Sequence, residues 1–254
     1  HCVRIGAMVH RALLTISEAQ LLCSHTVKRR ATPCVFLSCA CAQIFDHVKF
    51  HMWAIFQCCR KVVRNLSHLP SARLLEQILQ DLDLPVHLHI LTGFGDSMHR
   101  QTSHGIKRYR IGVQQTREIE DALFEIIFTG VLERYPRLKV VSVENEIGWM
   151  PFWLGQCDKA FKRHRHSEKL TIDKLPSEYF RRQVYATFFN DPVGAKLFSW
   201  WGCDNFMWSN DYPHQNSTWP NSRDVIARDM GHLDAAEREK LLSSNVIDLY
   251  QLKV

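Results

Sequence analysis

From Ser71 onward the apolar positions switch repeatedly between two spacings. Leu74, Leu75, Ile78, Leu79 and Leu82 recur three and four residues apart, which predicts one face of a helix, with Ser71 as its cap. "LPVHLHIL" (84–91) then reads as a strand, opened by Pro85 and closed by the turn residues Thr92, Gly93, Phe94 and Gly95. The polar, glycine-containing stretch 93–115 is longer than most connections in compact domains and predicts a functional loop, such as a lid, or a disordered one. Ile119, Leu123, Ile126, Ile127 and Val131 mark the next amphipathic helix, stopped by Tyr135-Pro136 before the strand "LKVVSVENE" (138–146). The pattern continues as helix 151–166, strand "QVYATFF" (183–189), helix 192–201, strand "NFMWSN" (205–210) and helices 222–230 and 235–250. Asp234 and Glu237 have capping-box spacing at the start of the last helix. Strands alternating with helices imply a parallel sheet with right-handed crossovers, here in four units, not eight.

Residues 1–70 do not follow this grammar. "VRIGAMV", "CVFLSC" and "FHMWAIF" could be strands, but the periodicity and caps between them are poor, so the segment stays unassigned and a boundary falls near residue 70. Composition separates the same two parts. Of a net charge of +6, residues 1–75 hold ten Lys or Arg against only Glu18 and Asp46. The longest basic cluster, Lys28, Arg29 and Arg30, is too short to argue for nucleic acid. Seven of the nine cysteines (Cys2, Cys23, Cys34, Cys39, Cys41, Cys58, Cys59) also lie here. Cys39, Cys41, His47 and His51 could hold zinc, but there is no C-x2-C pair, and free thiols in a reducing cytosol are the expected state. No apolar run approaches the roughly 18 residues of a membrane helix. The chain begins at His1, which suggests a fragment.

In a parallel α/β barrel, chemistry gathers at the carboxyl ends of the strands. The polar residues there are His87 and His89, Glu144 with Glu146 beyond it, Asn190 and Asp191, and Asp211 and His214. Alternation puts both His87 and His89 on one strand face, able to point into a barrel. An imidazole and a carboxylate suit zinc or a similar divalent ion. His89 and Asp211 carry that reading best. His87 by itself is as readily a core residue, and Glu144 is either a base or an arginine's partner. His164 and His166, beside Lys162, Arg163 and Arg165, read as a solvated helix face. Arg100, His104, Lys107, Arg108 and Arg110 on the long loop could bind a carboxylate, with a wet loop as the default.

The motifs "LPVHLHILTG", "GVLERYPRLKVVSVENEIGWMPFWLGQCDKAFKRHR", "LPSEYFRRQVYATFFNDPVGAKL" and "DNFMWSNDYPHQNSTWP" resemble the amidohydrolase-related family, the metal-dependent hydrolases and decarboxylases akin to aminocarboxymuconate semialdehyde decarboxylase. The resemblance covers about residues 82–252 and implies a TIM-like (β/α)8 barrel of which residues 71–254 are the C-terminal part, strands five to eight, with an atypical N-terminal segment over 1–70. It makes His89 the strand-five metal ligand and Asp211 the strand-eight aspartate that binds metal and handles the proton. Glu144 stands where the decarboxylases carry a catalytic histidine, which favours a hydrolase. His87, His214 and Asn190 are expected to support the site or the substrate. The family's first-strand H-x-H pair has no counterpart in residues 1–70. The expectation is therefore a cytoplasmic, metal-dependent hydrolase that uses a divalent metal, zinc, and Asp211 to activate water against a small-molecule substrate. No nucleic acid or membrane partner is expected, and a homodimer could form through exposed strand edges. A non-oxidative decarboxylase and an inactive half barrel serving as a binding module are the alternatives.

Overall fold

The computed structural model describes residues 70–89 and 116–253. The readings made for residues 1–69, including the possible zinc donors Cys39, Cys41, His47 and His51, and for the basic loop from Gly93 to Gln115 lie outside these residues. The described chain folds as α1 (Pro70–Asp81), β1 (Val86–His89), α2 (Thr116–Phe128), α3 (Val131–Arg134), β2 (Val140–Val143), α4 (Met150–His164), α5 (Pro176–Gln183), β3 (Val184–Phe188), α6 (Pro192–Lys196), α7 (Phe198–Trp201), β4 (Phe206–Trp208), α8 (Ser222–Met230), α9 (Ala235–Glu239), a π-helical turn (Lys240–Ser244) and α10 (Asn245–Tyr250). The four strands pair in the order β1-β2-β3-β4, all parallel. This is the predicted alternation.

Register follows from which face each side chain must bury. Val86 pairs with Val140, Val140 with Val184, and Ala186 with Phe206, so apolar residues line one face, against the helices. That face joins Leu123, Ile127 and Leu132 of α2 and α3, Leu154 and Phe161 of α4, and Tyr179 and Phe180 of α5 in one core. Phe198 sits between Phe188, at 5.5 Å between ring centres, and Phe206, at 5.9 Å. The opposite face carries His87, His89, Val143, Tyr185 and Thr187, together with the buried Val141 and Met207. A one-residue slip would exchange these two sets, so the helix-side core fixes which residues reach the other face.

Several boundaries differ from the sequence expectation, including that of the last helix, 235–250, which divides into α9, the π-helical turn and α10. The first helix begins at Pro70, whose missing N–H costs nothing in a first turn, so Ser71 lies inside the helix instead of capping it. Gly130, at φ 75°, ends α2 and starts α3, and a Cβ there would meet Thr171. Helix 192–201 divides at Leu197 into α6 and α7, and Gly202, at φ 97°, ends α7. Helix α5 was not anticipated, because its apolar contribution is short and followed by Arg181 and Arg182. Its local signals are Pro176 in the first turn and Glu178 accepting from Leu175 N at 2.8 Å, to which Asp158 of α4, 19 residues away, adds an acceptor for Ser177 N at 3.0 Å. The capping box of Asp234 and Glu237 forms as expected.

Helix α10 lies against the first described strand. Tyr250 Oη is 2.6 Å from His87 Nε2 with the two rings stacked at 5.8 Å, and Gln251 Nε2 donates to Asp83 at 2.8 Å. His87 is thus engaged by the terminal helix. Burial lowers its pKa and pushes the Tyr250 phenol up to about 12, so both are neutral at physiological pH.

Candidate metal centre

The carboxyl ends of β2 and β4 deliver two of the acids that the strand-end argument names, Glu144 and Asp211. Just past β2, Glu144 takes a left-handed backbone at φ 62°, and past β4 Asp211 does the same at φ 55°. Such backbone at a non-glycine residue costs about 1–3 kcal/mol and persists only where surrounding contacts hold it. At Glu144 the hold is Thr187 Oγ1 of β3, which accepts its N–H at 3.0 Å. At Asp211 it is a closed loop: His214 N donates to Asp211 O at 2.9 Å, while Ser217 Oγ and Thr218 N both donate to Asn210 O.

These turns bring Glu144, Asp211 and His214 together, with one donor atom from each within 4.8 Å of the others. His214 Nδ1 lies 2.9 Å from Asp211 Oδ1, the buried carboxylate having 7% of its side chain exposed and the imidazole 57%. The site is therefore reachable through His214. His89 joins from β1, its Nε2 2.8 Å from Glu144 Oε1. Two carboxylates and an imidazole are a donor set that fits a hard or borderline divalent cation. The charges agree. Burial and then the negative charge of Glu144 raise the pKa of Asp211, with His214 and His89 offsetting part of the rise. Burial also acts to raise Glu144, but the hydrogen bond and charge of His89 and the charge of His214 outweigh it, and its pKa is lowered. A cation would relieve the repulsion between the two carboxylates.

Of the candidate residues, the structure thus unites Asp211, Glu144 and His214, with His89 attached through Glu144. His87 is elsewhere, with Tyr250. Asn190 is also outside the cluster, its Oδ1 accepting from Arg228 Nη2 at 2.7 Å, while Arg228 pairs through two hydrogen bonds with the buried Asp229. His164 is the last residue of α4 and is exposed, as is His166 beyond it, which matches the solvated reading.

Two further acids tie together the loops that follow β2 and β3. Glu146, at φ 51°, accepts from Phe189 N at 3.1 Å and Asn190 N at 3.2 Å. Asp191 accepts in return from Ile147 N at 2.8 Å and Gly148 N at 2.5 Å, and caps α6 through Gly194 N at 2.8 Å. Strand-end position names both residues without giving them this role. The signal for Asp191 is present in "NDPVG", an acid before a proline that opens a helix. Close approach requires glycine here, since a Cβ on Gly194 would come within 2.5 Å of Ile147 Cγ1 and 2.7 Å of Asp191 Oδ2. Gly194→Ala should therefore destabilise the fold by about 1–3 kcal/mol in urea melts, as overpacked cores do. A melt unchanged from wild type would contradict this contact.

Burial, with the charges of Asp191 and Asp229, raises Glu146 from 4.5 to about 7 against the pull of its two amide donors. Its folded-state pKa exceeds the unfolded one, so its contribution to stability is fully present below about 4.5 and is lost as pH rises through about 7. The urea midpoint of the wild type should fall across that window, and Glu146→Gln should flatten the fall. Parallel profiles for the two proteins would disprove the assignment.

Among solved structures, the chain resembles an amidohydrolase from Mycobacterium avium subsp. paratuberculosis K-10 (21% identity, TM-score 0.60, 73% of this chain and 46% of that one). It also resembles 5-carboxyvanillate decarboxylase from Sphingomonas paucimobilis (20%, 0.57, 73% and 54%). A third is dihydroxybenzoic acid decarboxylase from Polaromonas sp. JS666, with bound manganese and the inhibitor 2-nitroresorcinol (19%, 0.53, 72% and 55%). At these identities the likeness is one of fold, and the chain spans about half the length of these structures. The four parallel units are accordingly part of a TIM-like barrel. Among the described residues, no helix is long and apolar enough to cross a membrane. Residues 62–252 match the family described as Amidohydrolase, and the chain belongs to that family.

Proposed function

We propose that this chain carries the C-terminal part of the active site of a cytoplasmic metal-dependent hydrolase, acting on a small molecule with a carbonyl-type carbon. The observation that carries the reading is the convergence of Glu144, Asp211 and His214 at the carboxyl ends of β2 and β4, on either side of β3, in an amidohydrolase-family chain. Glu144, Asp211 and His214 would hold a divalent ion, with zinc as the first choice and His89 held in place by Glu144. When bound, such an ion supplies Lewis acidity. Asp211 takes the proton of the attacking water at its carboxylate, a task its raised pKa favours. His214 Nδ1, 2.9 Å away, orients that carboxylate. Glu144 keeps a second negative charge at the site, suited to a neutral ester, lactone or amide more than to an anionic substrate.

A decarboxylase is the second reading, supported by two similar structures that are aromatic-acid decarboxylases, one of them with manganese. The carboxylate of Glu144 weighs against it, because it would repel a substrate carboxylate. The test is zinc and manganese titration of the purified chain, followed by ester, lactone and aromatic carboxylate panels with carbon dioxide detection. Metal-dependent hydrolysis is the expected result, and carbon dioxide release would replace it with the decarboxylase. A chain that binds neither ion at millimolar concentration and turns over nothing would sink both readings and leave a binding module.

A further inference from the structure

The mutual grip of Glu146 and Asp191 reaches the candidate metal centre through the backbone. Each carboxylate crosses from its own loop to accept the amides of the other: Glu146 from Phe189 and Asn190, Asp191 from Ile147 and Gly148. The segment from Glu144 to Gly148 is thereby held at both ends, since Glu144 N donates to Thr187 Oγ1 at 3.0 Å. Inside it, the buried Asn145 donates from Nδ2 to Val143 O at 2.8 Å, and its own carbonyl accepts from Trp149 Nε1 at 2.8 Å. Two left-handed residues, Glu144 and Glu146, flank Asn145. Left-handed backbone at non-glycine residues persists only where surrounding contacts hold it, so these hydrogen bonds fix the path of the chain that carries Glu144.

We infer that Asp191 and Glu146 are positioning residues for Glu144, fixing its carboxylate against His89 and within reach of Asp211 and His214. The link to metal binding rests on the reading of that cluster given above. Neither acid belongs to the cluster itself, and both act through amide groups of adjacent loops. Partners of this kind beyond the ligands typically change metal affinity by roughly 10- to 100-fold when removed.

The test reads the His89 ring by nitrogen-15 NMR, because its Nε2 lies 2.8 Å from Glu144 Oε1. Wild type, Asp191→Asn, Glu146→Ala and Glu144→Gln are compared well below their melting temperatures and titrated with Mn2+ and Zn2+. Asp191→Asn and Glu146→Ala are expected to move the His89 signals toward those of Glu144→Gln and to weaken ion binding roughly 10- to 100-fold. Tyr179→Phe, which removes a buried hydrogen bond to Glu133 on the helix layer, should lower the melting temperature and leave both readouts in place. Unchanged His89 signals in Asp191→Asn and Glu146→Ala overturn the inference. So does an equal shift in Tyr179→Phe, or ion affinity unaltered from a wild type that binds. If the wild type binds neither ion while His89 still responds to both loop acids, the metal reading fails and the positioning of Glu144 stands. Should Asp191→Asn fail to fold, Glu146→Ala decides.

Discussion

Asp211→Asn is expected to lower kcat/KM by roughly 10²- to 10⁴-fold on whichever substrate the wild type turns over, the range for losing a general base. The substitution is unusually clean. Asp211 sits at φ 55°, a conformation asparagine tolerates better than other side chains, and Asn keeps an oxygen facing His214. What it removes is charge. Burial and the neighbouring Glu144 carboxylate raise the pKa of Asp211, so in the metal-free protein neutralising it should leave thermal stability unchanged or increased. The added stability that a ligand confers on the folded state, which grows with its concentration over Kd, should shrink. Melts with and without zinc or manganese, run beside kinetics, separate these effects. A variant with wild-type turnover would end the case for Asp211 as base, and a large loss of metal-free stability would mean that the carboxylate serves the fold.

Phe188→Ala should cost about 3–5 kcal/mol, the range for emptying a buried aromatic site. Against a total of about 5–15 kcal/mol for a typical domain, that is enough to unfold a substantial fraction of the chain at 37 °C. Phe188 is fully buried, packs 5.5 Å from Phe198, and is the last residue of β3. The next two residues, Phe189 and Asn190, give their amides to Glu146, so a cavity at Phe188 should loosen the loop as well as the core. Urea melts measure the first effect, and hydrogen exchange at Phe189 and Asn190 the second. A loss below 1 kcal/mol would be inconsistent with a tightly packed Phe188.

The sheet was readable because each strand is a short apolar run between helical spacings, so a parallel order followed from alternation alone. The strands are shorter than the apolar runs: "LKVVSVENE" supplies only Val140–Val143 to pairing, since Glu144 and Glu146 leave the extended region. Left-handed backbone at glutamate is held by Thr187, Phe189 and Asn190, more than forty residues away, and nothing local in the sequence announces it. The same holds for the cluster. Asp211 was legible from its strand end, and His214 joins it because a tight turn folds the third residue back. His89 and Glu144 lie 55 residues apart, and only the pairing of β1 with β2 brings them to 2.8 Å. His87 shares a strand face with His89, yet it meets Tyr250 because that helix reaches the strand from 163 residues away.

That last contact bears on how the chain is made. Parallel pairing and distant contacts slow folding, since a long loop must close before any contact rewards it. On a ribosome, β1 emerges long before α10, so until Tyr250 and Gln251 are synthesised His87 and Asp83 wait without their final partners. The nascent sheet passes through this period without the cover that α10 gives its first described strand.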